Sequence, residues 1–420
     1  MSIDDRAPHD PHSGDAATLD LDSIDLTDAS VWETGQPVAW LDALRDRSPV
    51  HWHPESDGPG FWAITRHGDV RDISKNPADF SNHVGGPLRL DPDAETLEQL
   101  RMTIIGMDPP DHRAYRNVVG RAFTPRMIGR IEPLLRQESK RMLGALRGRD
   151  QCDFVGDIAA PIPLWSISEL MGVPVEDRTR LYELSHALID DQDPEVAPTP
   201  GQAMQDSAEI FAYASDLAQR ERAEPGDNLT AALLHTEVDG ETLDDLEYTL
   251  FFIFLIVAGN ETTRTAITNG LRTLLDHPDQ LARLRQDRSL IPGAVEEMLR
   301  WSPPIHHFRR TATRDVEVSG TRIEEGQKVI MWYRAANGDP SVFDDPRDFR
   351  IDRSPNPQLS FGLGEHFCLG ANLARLQMRV VFEELFDHLG HIELAAPERR
   401  LHSNLINGVK EMQIRYAMTD

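Results

Sequence analysis

Positive charge is scarce in this chain: 43 Lys and Arg stand against 70 Asp and Glu in 420 residues, a formal net charge of −27. Such a surface suits neither nucleic acid nor an anionic membrane, which are held by surplus Lys and Arg. Cysteine is scarcer still. Only Cys152 and Cys368 occur, far apart, which excludes a disulfide framework and fits a reducing compartment. No second Cys and no clustered His supplies the ligand spacing that zinc needs. Long apolar runs are missing too. The longest apolar window, Thr249 to Gly259, is too short to cross a bilayer, which takes about 20 apolar residues. The first thirty residues hold no apolar run that would read as a signal peptide. The expectation is a cytoplasmic protein, bound to neither nucleic acid nor membrane, with Thr249–Gly259 inside a buried core helix.

What is present is mostly helical patterning. Residues 1–34 hold nine acids and one Arg without a regular period, and read as an acidic disordered tail. Strand-like pieces follow at Val50–His53 and Gly60–Thr65. Helices are expected after Pro110 through Arg121, from Pro125 to about Leu146, and from Glu176 to His186. Others run from about Leu243 to Leu275, Pro292 to Trp301 and Leu369 to Leu389. Residues 187–201, rich in Asp, Pro and Gly, read as a mobile loop between two helices. Strand signals return between Asp315 and Met331. With no repeat and no convincing linker, residues 35–420 read as one mainly α domain with a small β region. One stretch reverses the acidic balance: His112 to Arg149 carries ten Lys and Arg against Glu132 and Glu138. Charge alone leaves two readings open, a solvated helix surface and a docking face for an acidic partner.

The segment Phe361-Gly-Leu-Gly-Glu-His-Phe-Cys-Leu-Gly370 concentrates the chemistry. Three glycines around one Cys, just before a helix, are costly as a core element. They fit a backbone that turns tightly beneath a flat group, with N–H donors and the positive helix end aimed at the sulfur. A Cys in a glycine-rich loop also occurs as a plain structural residue, so the full spacing has to decide.

That ten-residue spacing resembles the haem-binding signature of the cytochromes P450, and three further segments match in the same order. Ala258-Gly-Asn-Glu-Thr-Thr263 resembles the oxygen-activation motif. Ala258 and Gly259 would leave room for dioxygen, and Thr262 can bond the Ala258 carbonyl and open the helix. The resemblance makes Thr262 and Glu261 the catalytic pair, the hydroxyl as hydrogen-bond donor and the carboxylate as proton relay. Glu297-Met-Leu-Arg300 puts two charges on one helix face, and the family pairs them with a third residue, here Arg353. Glu296, four residues from Arg300, is set aside. The resemblance assigns His112, Arg116, Arg310 and His366 to the haem propionates, for which bidentate Arg is well suited. Phe361, Cys368, Gly370, Ala258 and Gly259 complete the cofactor set, with Cys368 as the iron ligand of haem b (iron protoporphyrin IX).

The resemblance runs from Trp32 to the C-terminus. It implies a triangular, mainly α-helical body with a small β region, enclosing haem between the long helix and the helix after the cysteine loop. It implies a monomeric monooxygenase taking dioxygen, with electrons from a ferredoxin and its reductase. The basic stretch offers Arg113, Arg126 and Arg130 for docking. Substrate walls are expected from Phe251, Phe254, Leu255 and Ala258, from Ile305, His306 and Phe308, and from Leu405 and Ile406. The segments 82–102 and 187–201 would close the pocket. These are mostly apolar, so the substrate is hydrophobic. Two motifs, Ala258 to Arg264 and His366 to Arg375, resemble the branch that oxidises sterol side chains, terpenoids and methyl-branched lipids. His306-His307 depart from its apolar pattern and admit a polar or acidic substrate group. A natural-product tailoring oxidase, a peroxygenase using hydrogen peroxide and a non-catalytic haem sensor remain rival readings.

Overall fold

Asp244 opens the longest helix: its carboxylate accepts from the Glu247 N–H at 2.8 Å, and Glu247 accepts from the Asp244 N–H at 2.9 Å. This reciprocal cap satisfies two donors that a helix start otherwise strands. The helix runs Asp245–Asp276 and stops at His277, where Pro278 begins the next one. Length and composition alone would let it cross a membrane, but most of its apolar window is buried inside the protein. It packs against the helices Pro161–Met171, Pro200–Ala223, Ile291–Trp301 and Ala371–His388, and so forms the axis of the main core. The protein is described by a computed structural model covering residues 11–12, 14–56, 58–123, 125–186, 193–195, 200–235, 237 and 242–419.

The β region is small and holds one edge of the site. Five strands lie in the order Val50–His53, Phe61–Ile64, Lys328–Trp332, His307–Ala312, Phe80–Ser81. The second and third pair parallel, the rest antiparallel, with Ala63 opposite Ile330 and His307 opposite Trp332. Strand alternation sends Val329, Met331 and Tyr333 into one apolar cluster and Ile330 and Trp332 into another. The strand His307–Ala312 was not expected from the sequence. Its His and two Arg read as polar, yet five of its six residues are buried.

The acidic start is not a disordered tail over the described residues. Leu19, Ile24, Leu26 and Trp32 are all at most 5% exposed. The acids do a different job from the one composition suggests: Asp20 and Asp28 cap the short helical turns Leu21–Ser23 and Ala29–Trp32. The Leu26 N–H donates to His53 Nε2 at 2.9 Å, and Asn404 donates to the Thr27 carbonyl at 3.0 Å. The boundary at residue 35 therefore separates nothing, since the fold already includes Leu19. Residues 1–10 and 13 lie outside the described residues. Of the loop expected over 187–201, residues 187–192 and 196–199 also lie outside them. Within it Asp193 is held, receiving the Lys410 ammonium at 2.8 Å and the His402 N–H at 3.0 Å. Cys152 is buried, and burial pushes its thiol up to about 12, as suits an inert packing residue.

Trp32 stacks on Trp332 at 5.3 Å between ring centroids and seals the second cluster. Trp32→Ala should cost about 3–5 kcal/mol of stability, the range for losing a large buried aromatic. Denaturant unfolding checks this; a change near zero would return the segment to the status of a tail.

Candidate functional site

The cysteine loop is built on a buried carboxylate. Glu297 accepts two bonds from Arg300, both at 2.8 Å, and two from Arg353 at 3.0 and 3.1 Å. The Arg350 N–H and Asn356 add bonds of 3.0 Å each. Glu297 and Arg300 are fully buried, so this network binds charge away from water. Arg300 also donates to the carbonyls of Asn337 and Pro346, and Arg353 to those of Asp344, Asp345 and Asp348. Asn337 passes the order on: its carboxamide accepts from the Leu359 N–H and donates to Ser360 Oγ, which donates to the Leu299 carbonyl. The pairing expected of Glu297, Arg300 and Arg353 is thus present, and the irregular chain before Phe361 hangs from it.

The loop itself closes when the Cys368 N–H donates to the Phe361 carbonyl at 2.9 Å. Gly362 and Gly364 both have positive φ, +66° and +74°, which side chains rarely adopt. A Cβ at Gly364 would also run into the Ser74 carbonyl. Gly370 is different. Nothing crowds it; it precedes the helix Ala371–His388, and its N–H points at the sulfur. Cys368 is set deep among other residues but its own surface stays open, the mark of a void in the fold. Burial pushes its thiol up, while the Gly370 N–H and the charges of Arg116 and Arg375 act toward the thiolate.

Thr262 donates to the Ala258 carbonyl at 2.7 Å, as its spacing suggests. Around it the buried helix is half-open along the stripe Phe254, Val257, Ala258 and Gly259. A Cβ at Gly259 would reach only ordinary contact with Ile167, so its smallness serves that open space rather than packing.

Glu261 is turned elsewhere. Its carboxylate is ion-paired with Arg264 and receives Thr265 Oγ1 at 3.3 Å, and all three residues are buried. A relay through it starts from a held carboxylate, not from one facing solvent. Phe251 and Leu255 lie in the main core, Phe251 edge-on to Tyr115 at 5.9 Å, because the helix Asp111–Ala122 covers that end of the stripe. Ile305 is half-buried and bridges Ile406. His306 does not join that wall: it is buried with its ring 4.1 Å from Trp32.

Near the sulfur, cations and donors outnumber their partners. His112 is fully buried and neither ring nitrogen finds a partner; its ring lies 4.2 Å from that of His366. His366 Nε2 lies 3.2 Å from Asn82 Nδ2. Burial, then the charges of Arg310, His112 and Arg116, hold the His366 imidazole far below its ordinary value. Arg310 is buried, and its side chain donates to the Arg309 carbonyl rather than to a carboxylate. Arg116 donates to the Phe367 carbonyl. The neighbouring acids are engaged: Glu365 with Arg113, and Asp108 with Ser81 and the Asn82 N–H. Buried donors without acceptors are rare in a finished fold. The set fits the two carboxylates of haem b, with the open sulfur of Cys368 beside them.

The family model for cytochrome P450 matches residues 201–413. A steroid C26-monooxygenase of Mycobacterium tuberculosis is 38% identical over 405 residues, 94% of this chain and 92% of that protein. The chain belongs to the cytochrome P450 family. This P450 is also 39% identical over 414 residues to the methyl-branched lipid omega-hydroxylase of Mycobacterium tuberculosis, covering 96% of this chain and 95% of the other. The structure of a Mycobacterium marinum cytochrome P450 in complex with pseudoionone superposes with a TM-score of 0.87 at 36% identity, covering 95% of this chain and 100% of that one. The expected fold, the monooxygenase class and haem b as cofactor therefore stand.

Two functional neighbours escaped the sequence reading. Arg375 lies 4.4 Å from the Phe361 ring and pairs with Glu296 at 2.6 Å. Glu296, set aside as a false partner for Arg300, thus fixes the residue whose charge acts on Cys368. The signal was available: Arg375 follows Cys368 by two helical turns on the helix the loop opens. Asn82 was only part of a broad loop. The basic stretch is the main correction. Acids distant in sequence meet it: Glu365 at Arg113, Asp227 at Arg130, Glu383 and Glu384 at Arg136; the nearer Asp157 meets Arg149. The Arg126 side chain lies outside the described residues.

Glu297→Ala leaves Arg300 and Arg353 buried without a counter-charge. It should cost about 3–5 kcal/mol and yield mostly haem-free or insoluble protein. Haem content per chain and thermal unfolding test this, and normal values for both would show that the network carries no weight.

Proposed function

We propose that this P450 hydroxylates the terminal carbon of a hydrophobic substrate bearing a branched alkyl end, either a steroid side chain or a methyl-branched lipid. The observation that carries this is the open apolar stripe Phe254, Val257, Ala258 and Gly259, which leads to the Thr262 hydroxyl. The two kinds of relative named above act on those two substrate classes. A narrow apolar wall beside one hydroxyl suits a methyl end, which has no polar atom to satisfy.

Cys368 as thiolate would hold the iron, with the Gly370 N–H moderating the sulfur's charge. When bound, the haem supplies oxygen activation at its iron. His112, Arg116, Arg310 and His366 would hold the propionates. Thr262 would keep a donor beside Ala258 and Gly259, and Glu261, paired with Arg264, would move protons only after that pair loosens. The same hydroxyl favours dioxygen over hydrogen peroxide as oxidant, and a tailoring oxidase of this fold would share every one of these parts.

Electrons would come from a ferredoxin and its reductase in the cytoplasm, to a monomeric P450. Arg113 and Arg130 are already paired, but both pairs are exposed. Exchanging one carboxylate for another there costs little, so an acidic partner still finds them.

The test supplies ferredoxin, reductase and dioxygen with two probes, a terminally methyl-branched fatty acid and a steroid with a saturated branched side chain. Mass spectrometry should locate one added oxygen on the terminal carbon of at least one probe. Oxidation of the ring or mid-chain alone, or none with either probe, would refute the reading.

A further inference from the structure

The helix Ile291–Trp301 carries two neighbouring carboxylates with separate tasks. Glu297 is buried and holds the irregular chain before the cysteine loop. Glu296 meets the helix that leaves the loop. It accepts from Arg375 Nε at 2.6 Å and from Arg375 Nη2 at 3.0 Å, a bidentate fork. A third bond comes from Gln358 Nε2 at 3.1 Å, and Gln358 Oε1 accepts the Ser360 N–H at 2.6 Å. On its other flank the Arg375 guanidinium carbon lies 4.4 Å from the centre of the Phe361 ring. Fork and ring together confine a long cationic side chain that would otherwise sample many rotamers. The place matters because Phe361 also closes the loop: its carbonyl accepts the Cys368 N–H at 2.9 Å, and the Arg375 charge acts on the sulfur.

Stability does not account for this clamp. The Arg375 and Glu296 side chains are 33% and 27% exposed, and an ion pair so open to water adds little to folding. The loop and its lead-in are already fixed by the Glu297 network and by main-chain bonds. What a fixed cation beside a thiolate can do is electrostatic. A haem iron that takes up one electron gains one negative charge, and the net charge of −27 on the chain opposes it. A cation held close offsets that background and draws electron density from the sulfur. Arg116 also acts on the sulfur, but as a propionate partner its charge would be neutralised by the cofactor itself. Arg375 answers instead to a carboxylate of the chain.

We propose that Arg375, clamped by Glu296 against the Phe361 ring, is a positioning residue that acts through the Cys368 sulfur and makes the haem easier to reduce. One electron passes from the donor to the ferric iron, which becomes ferrous; no bond breaks, and the Cys368 sulfur stays a thiolate. Arg375 puts its charge where it favours the reduced state. Glu296 orients that charge and partly cancels it. Removing one member or the other should therefore move the potential in opposite directions, which a loss of packing would not do. The inference rests on Cys368 as the iron ligand and is independent of the substrate.

Spectroelectrochemical titration of the haem-loaded, substrate-free protein reads the potential against a reference dye, with absorbance confirming one spin state in every variant. Arg375→Gln should lower the ferrous-to-ferric ratio about three- to tenfold at a fixed dye potential, a tenfold change being about 59 mV for one electron. Arg375→Lys keeps the charge and should recover most of that loss. Glu296→Gln leaves Arg375 a hydrogen-bond acceptor and should raise the ratio about threefold. An unchanged potential in Arg375→Gln, an equal loss in Arg375→Lys, or a fall in Glu296→Gln would overturn the inference. If Arg375→Gln fails to hold haem, the direction of the shift in Glu296→Gln decides. The carbon monoxide spectrum separates the two claims: without a thiolate band in the native protein the ligand assignment falls first, and this inference falls with it.

Discussion

The carboxylate of Glu297 is the point from which the haem side of this fold is organised. Taking three charged side chains out of water costs several kcal/mol for each ion. The structure offsets that cost by giving the charges unusual work. Residues 337–358 have almost no regular secondary structure, so their carbonyls lack the partners a helix or sheet would provide. Arg300 and Arg353 supply those partners, reaching five different carbonyls between Asn337 and Asp348 while both hold Glu297. An apolar replacement of the same volume would leave the carbonyls stranded. Through Asn337 and Ser360 the same network sets where Phe361 begins the cysteine loop.

Electrostatics divide the molecule into finished and unfinished parts. On the outside, cations that look free in sequence are matched by acids brought from more than 90 residues away, as Asp227 is to Arg130 and Glu365 to Arg113. Inside, His112, Arg116, Arg310 and His366 near Cys368 form no ion pair among the described residues, and the nearby acids Glu365 and Asp108 are held by other partners. In a protein of net charge −27, that gap fits acceptors supplied from outside the chain.

The chemistry was legible in the sequence because it rests on local spacing. The glycines around Cys368, the four-residue step from Ala258 to Thr262 and the three-residue step from Glu297 to Arg300 need no tertiary information. The long helix was placed to within two residues at its start and one at its end, since Pro278 and the apolar run mark it plainly. What failed needed contacts across the fold. The acids of residues 15–33 mask Leu19, Ile24, Leu26 and Trp32, and composition cannot tell a capping Asp from a solvating one. His307–Ala312 reads as polar because the partner of its buried Arg309, Asp91, lies 218 residues away in the chain. Glu261 looked solvent-facing because Arg264, three residues on, was not read as its partner.

The central claim is that Cys368, held open above the Gly370 N–H, is the ligand of the haem iron. The spectrum of the reduced protein under carbon monoxide addresses it most directly, with Cys368→Ser beside the native chain. The account predicts the long-wavelength Soret band of a thiolate-ligated haem in the native protein and its loss in the variant, because an oxygen ligand pushes far less electron density to the iron. A thiolate-type band that persists in Cys368→Ser, or one that is absent from the folded, haem-loaded native protein, would contradict it.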